Sequence, residues 1–579
     1  MSEIFKKLQA IITIKNLSYP LLIFNLISIV FGILYITFQI STILWNIFGI
    51  FLLITFIGNF LLVYLNTVKL NKTVKLGKRI NYLCYFYLIF VNLSVILILL
   101  GNFLISINYS NLIINNIWNY FFVFFGFFGD LFIGSIISYL DIKNLKKREL
   151  WNLNSSKIAN NKKRIFKKII KVFLGFFSLM TLILGIFIGY SLLFSPITDF
   201  TSWWIGIIFY PFSLSLFLIM LSTTIIFLKL INPTKRSYLR YSIAIIGLIV
   251  STIVLLPFLS TPWVSFQAER NFSDAFGQDW NLKIDSASKK YFMKTPFTVT
   301  EYFLGNHPKD CNIDIDEVFY SNSSEGLTLA FDVYYPKVSG SSLPGNNSVI
   351  INIHGGAWVA GDKGPMNMLQ VNKYFATQGY VVFDIQYGLK EGGFGIISTP
   401  EGMGGNFSID DQLRHIGNFT KQLNTTQFSK YNPNLNSVFI TGNSAGGHLS
   451  LATALLINSG NYSNLFGSHL KIKGIIPLYP GDPPESMIEG RDEFRNPENY
   501  FIDENTPPCL LFQGNKDFCL LETKHIKNQY NIAGNNNCCI VWFPFQGHAN
   551  DLYFSGHFNQ YKLYYMERFL YLCVHNKIQ

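Results

Sequence analysis

The chain has 579 residues, 50% of them hydrophobic and only 14% charged, with a mean hydropathy of +0.29. Soluble domains average about a quarter charged residues, so a single water-soluble globule is excluded. The net charge of +12 averages two unlike parts: residues 1–265 hold 23 Lys and Arg against five acids (Glu3, Asp130, Asp141, Glu149, Asp199), a balance of +18, whereas residues 266–579 balance at −6. A pI near 9.1 would ordinarily raise nucleic acid as a partner. Here the basic residues stand between apolar runs, which points to a lipid bilayer and away from nucleic acid.

A bilayer core about 30 Å thick needs roughly 20 apolar residues per helix. Runs of that kind stand at about 20–39, 43–65, 82–106, 115–140, 170–193, 203–228 and 241–262, predicting an all-α transmembrane bundle of about seven helices over residues 1–265. The first run is long and lacks a small-residue cleavage pattern, so it does not read as a removable signal peptide. Charge alternates along the connections. Lys6, Lys7 and Lys15 precede the first run; Lys69, Lys72, Lys75, Lys78 and Arg79 follow the second; residues 141–171 carry eleven Lys and Arg, among them Lys146, Lys147, Arg148, Lys162, Lys163, Arg164, Lys167 and Lys168; Lys229, Lys235, Arg236 and Arg240 follow the sixth. The other three connections carry none. The positive-inside rule then puts the N-terminus and the basic connections in the cytoplasm, and seven crossings leave the chain after about residue 265 lumenal or extracellular.

Asn-x-Ser/Thr sequons at Asn271, Asn322, Asn346, Asn406, Asn418, Asn424 and Asn461 agree with that side and predict a glycoprotein. Six of the seven cysteines (Cys311, Cys509, Cys519, Cys538, Cys539, Cys573) lie in the same half, an even count that an oxidising compartment would permit to pair. Within the apolar runs, Asp130 is the residue that asks for a reason. It is either a functional group or one partnered by a hydroxyl or water inside the bundle.

After a linker at 266–314, residues 315–579 change to short β-rich segments alternating with amphipathic ones. Strands are expected at 316–321, 327–335, 348–355, 380–387, 437–442, 472–480, 508–514 and 539–545, and helices at about 366–378, 409–426, 445–458, 520–532 and 557–575. Strands as apolar as VIINI between helices imply a mostly parallel α/β sheet covered on both faces; the two leading strands make it mixed.

The chemistry sits at strand ends. Gly442-Asn443-Ser444-Ala445-Gly446 joins the strand SVFIT to a helix, the setting in which a serine hydroxyl is exposed on a strained turn. Serine is a poor nucleophile until a base takes its proton. Asp517 follows the strand PCLLFQG and His548 follows the last strand, the order Ser, Asp, His that nucleophile-elbow hydrolases use. His548 would act as base and then acid, with Asp517 fixing its tautomer. His354-Gly355-Gly356-Ala357-Trp358 follows VIINI, and backbone N–H groups there, with that of Ala445, can face a developing oxyanion. His354 is read as shaping that loop; Trp358 is open to the core or to the acyl pocket.

Together HGGAW, GNSAGGH, GNKD and GH make residues 315–579 resemble the α/β-hydrolase fold, in the carboxylesterase branch related to hormone-sensitive lipase, bacterial feruloyl esterases and prenylcysteine methylesterase. The resemblance implies ester hydrolysis through an acyl-enzyme, with no cofactor and no metal. It implies Ser444 as nucleophile, Asp517 as acid, His548 as base, and Gly355, Gly356, Ala357 and Ala445 as the oxyanion-hole region. Asn443, where lipase-like members often have Asp, and Ala357, in place of a third glycine, lean towards the HGGAW-bearing esterases. The resemblance covers none of the apolar runs.

The Gly-rich stretch 388–407 is either a lid or a surface loop. Asp410 and Asp411 fit helix capping after Ser408. Cys509 and Cys519 are either bridged across the Asp517 turn or buried thiols, and vicinal Cys538 and Cys539 point to opposite faces. The leading expectation is a membrane-anchored serine esterase acting on a small-molecule or lipid ester. A silent hydrolase fold used for recognition, and a transporter or receptor with a regulatory hydrolase domain, are the alternatives.

Overall fold

A computed structural model describes residues 12–578 except 39–41, 70–74, 111, 151–162, 232–236, 307–308, 368 and 395–396. Lys6, Lys7, Lys72, Lys162, Lys235 and Arg236 therefore lie outside the described residues. The apolar runs form helices α1 (Ile14–Thr37), α2 (Ile43–Lys69), α3 (Lys75–Ser106), α4 (Ile117–Leu150), α5 (Lys163–Phe194), the pair α6 (Phe200–Phe209) and α7 (Ser213–Leu230), and α8 (Ser237–Val254). Pro211 lies in the single 3-10 turn that separates α6 from α7.

Among the described residues six spans, not seven, are long and apolar enough to cross a membrane: Ile14–Thr37, Ile43–Val68, Lys75–Ser106, Ile114–Leu145, Ile169–Phe194 and Phe200–Leu230. The seventh expected run, 241–262, falls short because its helix stops at Val254. Pro257 and Pro262 cannot continue an α-helical ladder, and the chain restarts as α9 (Thr261–Phe276). Asp130, buried on α4, accepts from the Ser94 hydroxyl of α3 at 2.5 Å, so the bundle itself supplies its partner.

Strands β1 (Asn312–Asn322), β2 (Leu327–Tyr335), β3 (Ser348–Ile353), β4 (Val381–Ile385), β5 (Asn434–Asn443), β6 (Ile472–Leu478), β7 (Cys509–Gly514) and β8 (Cys538–Phe543) form one sheet in the order β1-β2-β4-β3-β5-β6-β7-β8. β1 and β4 pair antiparallel with β2, and every other pairing is parallel. Period-2 alternation divides each strand between two cores: Val349, Ile351 and Ile353 enter one, Ile350 the other. Helices α12 (Ile409–Gln422), α13 (Ala445–Ser459) and α14 (Leu520–Ile532) cover the first face through Leu413, Leu449 and Ile526. Helices α11 (Leu369–Ala376) and α15 (His557–Val574) cover the second through Phe375 and Phe569. α9 joins them there through Val264, Ala268 and Phe272, so much of 266–314 is packed structure. Helix α10 (Val299–Leu304) enters the core of the membrane bundle with Tyr302 and Phe303.

The sheet domain rests on one end of the bundle. Tyr109 donates to Asp332 at 2.7 Å, Lys373 Nζ to the Asn108 carbonyl at 2.7 Å, Thr300 Oγ1 to the Trp45 carbonyl at 2.7 Å, and Lys516 Nζ to the Ser195 carbonyl at 3.5 Å. Tyr109, Asn108 and Ser195 belong to connections without Lys or Arg, and Trp45 lies in the first turn after another. At the other end Lys229 Nζ, near the end of α7, donates to Thr67 of α2 at 3.0 Å and to Asn81 of α3 at 3.4 Å.

Candidate active site

Ser444 closes β5 and caps α13 with φ 55° and ψ −120°, a conformation L-residues rarely adopt. Crowding explains its glycine flanks. A Cβ at Gly442 would stand 2.3 Å from the Gly446 carbonyl oxygen, and one at Gly446 would stand 2.0 Å from that of Ile353. The turn is tied down by Ser444 N–H donating to Leu478 at 3.0 Å and by Gly481 N–H donating to the Ser444 carbonyl at 2.9 Å.

His548 lies 4% exposed in the loop after β8, with Nε2 2.8 Å from Ser444 Oγ. Its Nδ1 stands 2.9 and 3.0 Å from the two carboxylate oxygens of Asp517, which is fully buried after β7. Three strand ends separated by up to 104 positions in the chain thus bring one hydroxyl, one imidazole and one carboxylate into a line. That line can move a proton from the hydroxyl to Nε2 while Nδ1–H stays held by the carboxylate.

The HGGAW loop lies against this serine. A Cβ at Gly355 would stand 3.3 Å from Ser444 Cβ, and Gly356 adopts φ +125° with the Ala360 carbonyl 2.0 Å from any added Cβ. Ala357 and Trp358 follow at φ 55° and 63°. Among the described residues, the N–H groups of Gly356, Ala357 and Ala445 donate to no backbone carbonyl outside regular elements. His354 is buried, its Nδ1 2.9 Å from the Gly355 oxygen and its ring stacked on Tyr387 at 4.3 Å; burial holds its pKa below the ordinary range. Trp358 is buried and donates its indole N–H to His448 Nδ1 at 3.3 Å, which puts it in the core.

Several neighbours of His548 carry no sequence motif. Phe518 stacks on its ring at 4.8 Å, Tyr479 meets it edge-on at 4.8 Å, and Trp203 of α6 lies 5.8 Å away. The Tyr479 hydroxyl donates to Asp551, which pairs with Lys562 at 3.2 Å, and burial with the Asp551 charge pushes that phenol well up. Just ahead of His548, Phe545 packs into the α5–α8 cluster of Ile205, Met220 and Val250, and Gly547 meets Gly206 of α6, where an added Cβ would be 3.2 Å from the Gly206 Cα. Only the tryptophan pair Trp203-Trp204 at the start of an apolar run could have drawn attention to α6.

All seven cysteines are buried, and Cys509 and Cys519 are unbridged. Cys538 and Cys539 point into opposite cores. Cys519 Sγ lies 3.9 Å from His548 Nδ1. Asp517, Cys519 and His548 thereby offer an oxygen, a sulfur and a nitrogen within 4.8 Å, a cluster that residue spacing did not suggest. Burial and the Asp517 charge push the Cys519 thiol well up, which favours the protonated form over the thiolate a metal would take. Ser408 and Asp411 form a capping box, and Asp410 pairs with Arg491 at 2.5 Å. The stretch 388–407, whose residues 395–396 lie outside the described set, folds into two short ladders, one of which brings Phe394 to 5.4 Å from Trp203.

Residues 331–393, which include β3, the HGGAW loop and β4, match the BD-FAE family. Among solved structures, esterase B from Lactobacillus rhamnosis is 19% identical, over 46% of this chain and 89% of its own, with a TM-score of 0.35. Thermogutta terrifontis esterase 2 is 17% identical over 47% and 96%, at 0.34. Pyrobaculum calidifontis esterase is 15% identical over 45% and 84%, at 0.35. No curated protein matches the chain in sequence.

Proposed function

We propose that the chain is a membrane-held serine hydrolase that cleaves a carboxylic ester through an acyl-enzyme on Ser444. The observation that carries this is the line Ser444 Oγ, His548 Nε2, His548 Nδ1, Asp517, with contacts of 2.8 and 2.9 Å. Ser444 Oγ attacks the ester carbonyl carbon as its proton passes to His548 Nε2, and the carbonyl oxygen takes the electron pair facing the N–H groups of Gly356, Ala357 and Ala445. Collapse breaks the bond to the alcohol oxygen, which leaves with the proton from Nε2. Water then gives a proton to His548, attacks the acyl carbon and releases the acid, and Ser444 recovers its proton.

The orientation reading rests on which connections meet the sheet domain; six spans alone would leave the chain at the Lys229 end, and α8, whose Val250 and Val254 pack with Ile205 and Tyr210, carries it back to the uncharged end. The connections that meet the domain are the uncharged ones, while Lys229 marks the opposite, basic end. The positive-inside rule then supports a lumenal or extracellular domain. The seven sequon asparagines, all at least partly exposed, are in keeping with that.

A fluorophosphonate probe applied to membranes tests the chemistry: labelling of the wild type that is lost in Ser444→Ala is expected, and an unlabelled, folded wild type would favour a silent recognition domain. Protease added to sealed microsomes should spare the sheet domain, and a glycosidase should shift the mobility of the eukaryote-expressed chain. Digestion of that domain from outside would reverse the orientation.

A further inference from the structure

One membrane helix reaches the general base. Helix α6 opens at the N-cap Asp199, whose carboxylate accepts from Ser202 N–H at 2.8 Å, and its first turn is Phe200, Trp203 and Trp204. Such aromatic rings gather where a bilayer meets water. Phe200 is 64% exposed on the outer side of this turn and stacks on Trp203 at 5.8 Å. Trp203 in turn touches Phe394 at 5.4 Å, Phe518 at 5.6 Å and His548 at 5.8 Å. Phe518 covers the imidazole and is itself 43% exposed, so it stands at the mouth of the site. An unbroken aromatic surface therefore runs from the lipid-facing side of α6 to the base.

A second, independent observation points to a ligand on that surface. Trp203 is only 8% exposed, and its indole N–H is buried with no hydrogen-bond partner. A buried donor left unmade is costly, and native proteins seldom leave one without a use. The rings packed around it, Phe394 and Phe518, bring no hydrogen-bond acceptor of their own.

Resting on the serine-hydrolase reading above, we infer that the substrate is a lipid ester that stays in the bilayer, enters sideways past α6, and places a second oxygen, next to the scissile ester, on the Trp203 N–H. A glycerol-type ester has that arrangement: an acyl chain for the apolar path and an oxygen on the carbon adjacent to the one that bears the leaving alcohol oxygen, three bonds from it.

The test uses the full chain in vesicles of an ether phospholipid, whose matrix has no ester to compete. Monooleoylglycerol in those vesicles and water-soluble nitrophenyl acetate are compared for the wild type and for Trp203→Phe, which keeps a ring and removes the donor. The wild type is expected to prefer the glyceride by at least about tenfold in kcat/KM. Trp203→Phe is expected to lower glyceride turnover about tenfold, and acetate turnover by a clearly smaller factor, since the acetate has no oxygen on the carbon adjacent to the one that bears its leaving oxygen. Equal losses on both esters would mean that Trp203 only holds His548, and no loss on either would mean that the donor is idle; each overturns the inference. So does a wild type that cleaves the acetate and leaves the glyceride, a result that decides the matter even if Trp203→Phe does not fold. If the wild type cleaves neither ester and Ser444 takes no fluorophosphonate, it is the hydrolase reading itself that has failed.

Discussion

In the membrane region buried polar side chains pair off between neighbouring helices: Asn25 with Asn59 by two reciprocal bonds of 2.9 Å, Ser94 with Asp130 at 2.5 Å, Asn66 with Asp141 at 2.6 Å. In the sheet domain the carboxylate of Asp517 and the imidazole of His548 instead converge on Ser444, which stays partly exposed. Satisfied pairs hold helices together in lipid, whereas chemistry needs a chain of bonds with one open end. Trp203, whose buried indole N–H has no partner among the described residues, stands where the two regions meet.

Paired substitutions of carboxylate by amide can break this comparison. Asp517→Asn should lower kcat on a soluble ester by on the order of 10⁴, because the amide no longer holds Nδ1–H in the productive tautomer. Asp130→Asn leaves Ser94 a partner and should lower stability by only about 0.6 kcal/mol, with ester hydrolysis kept. Assay of both purified variants beside the wild type decides. Comparable losses of turnover would show that Asp130 belongs to the chemistry and that the bundle is more than a holder.

A smaller effect is expected where the regions touch. Gly206 and Gly547 let α6 and the His548 loop meet backbone to backbone: a Cβ at Gly206 would lie 3.5 Å from the Gly547 Cα and 3.3 Å from the Tyr210 ring. Alanine fits this space with little adjustment, while leucine must push the loop away. Since misplacing a reacting group by about 1 Å costs about 10²-fold, Gly206→Leu should fall by that order in kcat, with Gly206→Ala near the wild type. Turnover of Gly206→Leu equal to that of the wild type would show that the bundle does not position the base.

The sheet was legible because its signals are local. VIINI is apolar but for Asn352, so β3 had to be buried on both faces, and Gly442, Gly446, Gly355 and Gly356 mark turns that leave no room for a side chain. The order of Ser444, Asp517 and His548 could be read for the same reason, each following its own strand. The count of spans failed at 241–262 because apolar composition hides Pro257, which ends the helix whatever its neighbours. The contact of Trp203 with His548 was illegible because no spacing rule connects α6 with a loop more than 300 positions later; the packing of Phe545 and Gly547 on the bundle brings them together. The packing of α9 on the sheet was hidden likewise, its apolar stripe being continuous with the membrane run before it.

The weakest contrast between the regions is in acid. All nine histidines follow residue 306, so histidine-linked stability belongs to the sheet side alone. His448 is fully committed as a neutral ring: Nδ1 accepts from Trp358, and Nε2–H donates to the carbonyls of Phe494 and Arg495, both at 3.0 Å. Burial pushes its pKa down to about 4, and that of His557 to about 3. The unfolded chain takes up these protons below about 6.5 and the folded chain does not, so stability is lost as pH falls from about 6.5 towards 4 and from His448 no further below that. Replacing His448 by Gln should flatten the slope of melting temperature against pH in this window by one proton's share, at most about 1.4 kcal/mol per pH unit. An unchanged slope would mean that His448 is already charged in the fold, which would leave the Trp358 N–H facing a cation and remove the anchor of the HGGAW loop.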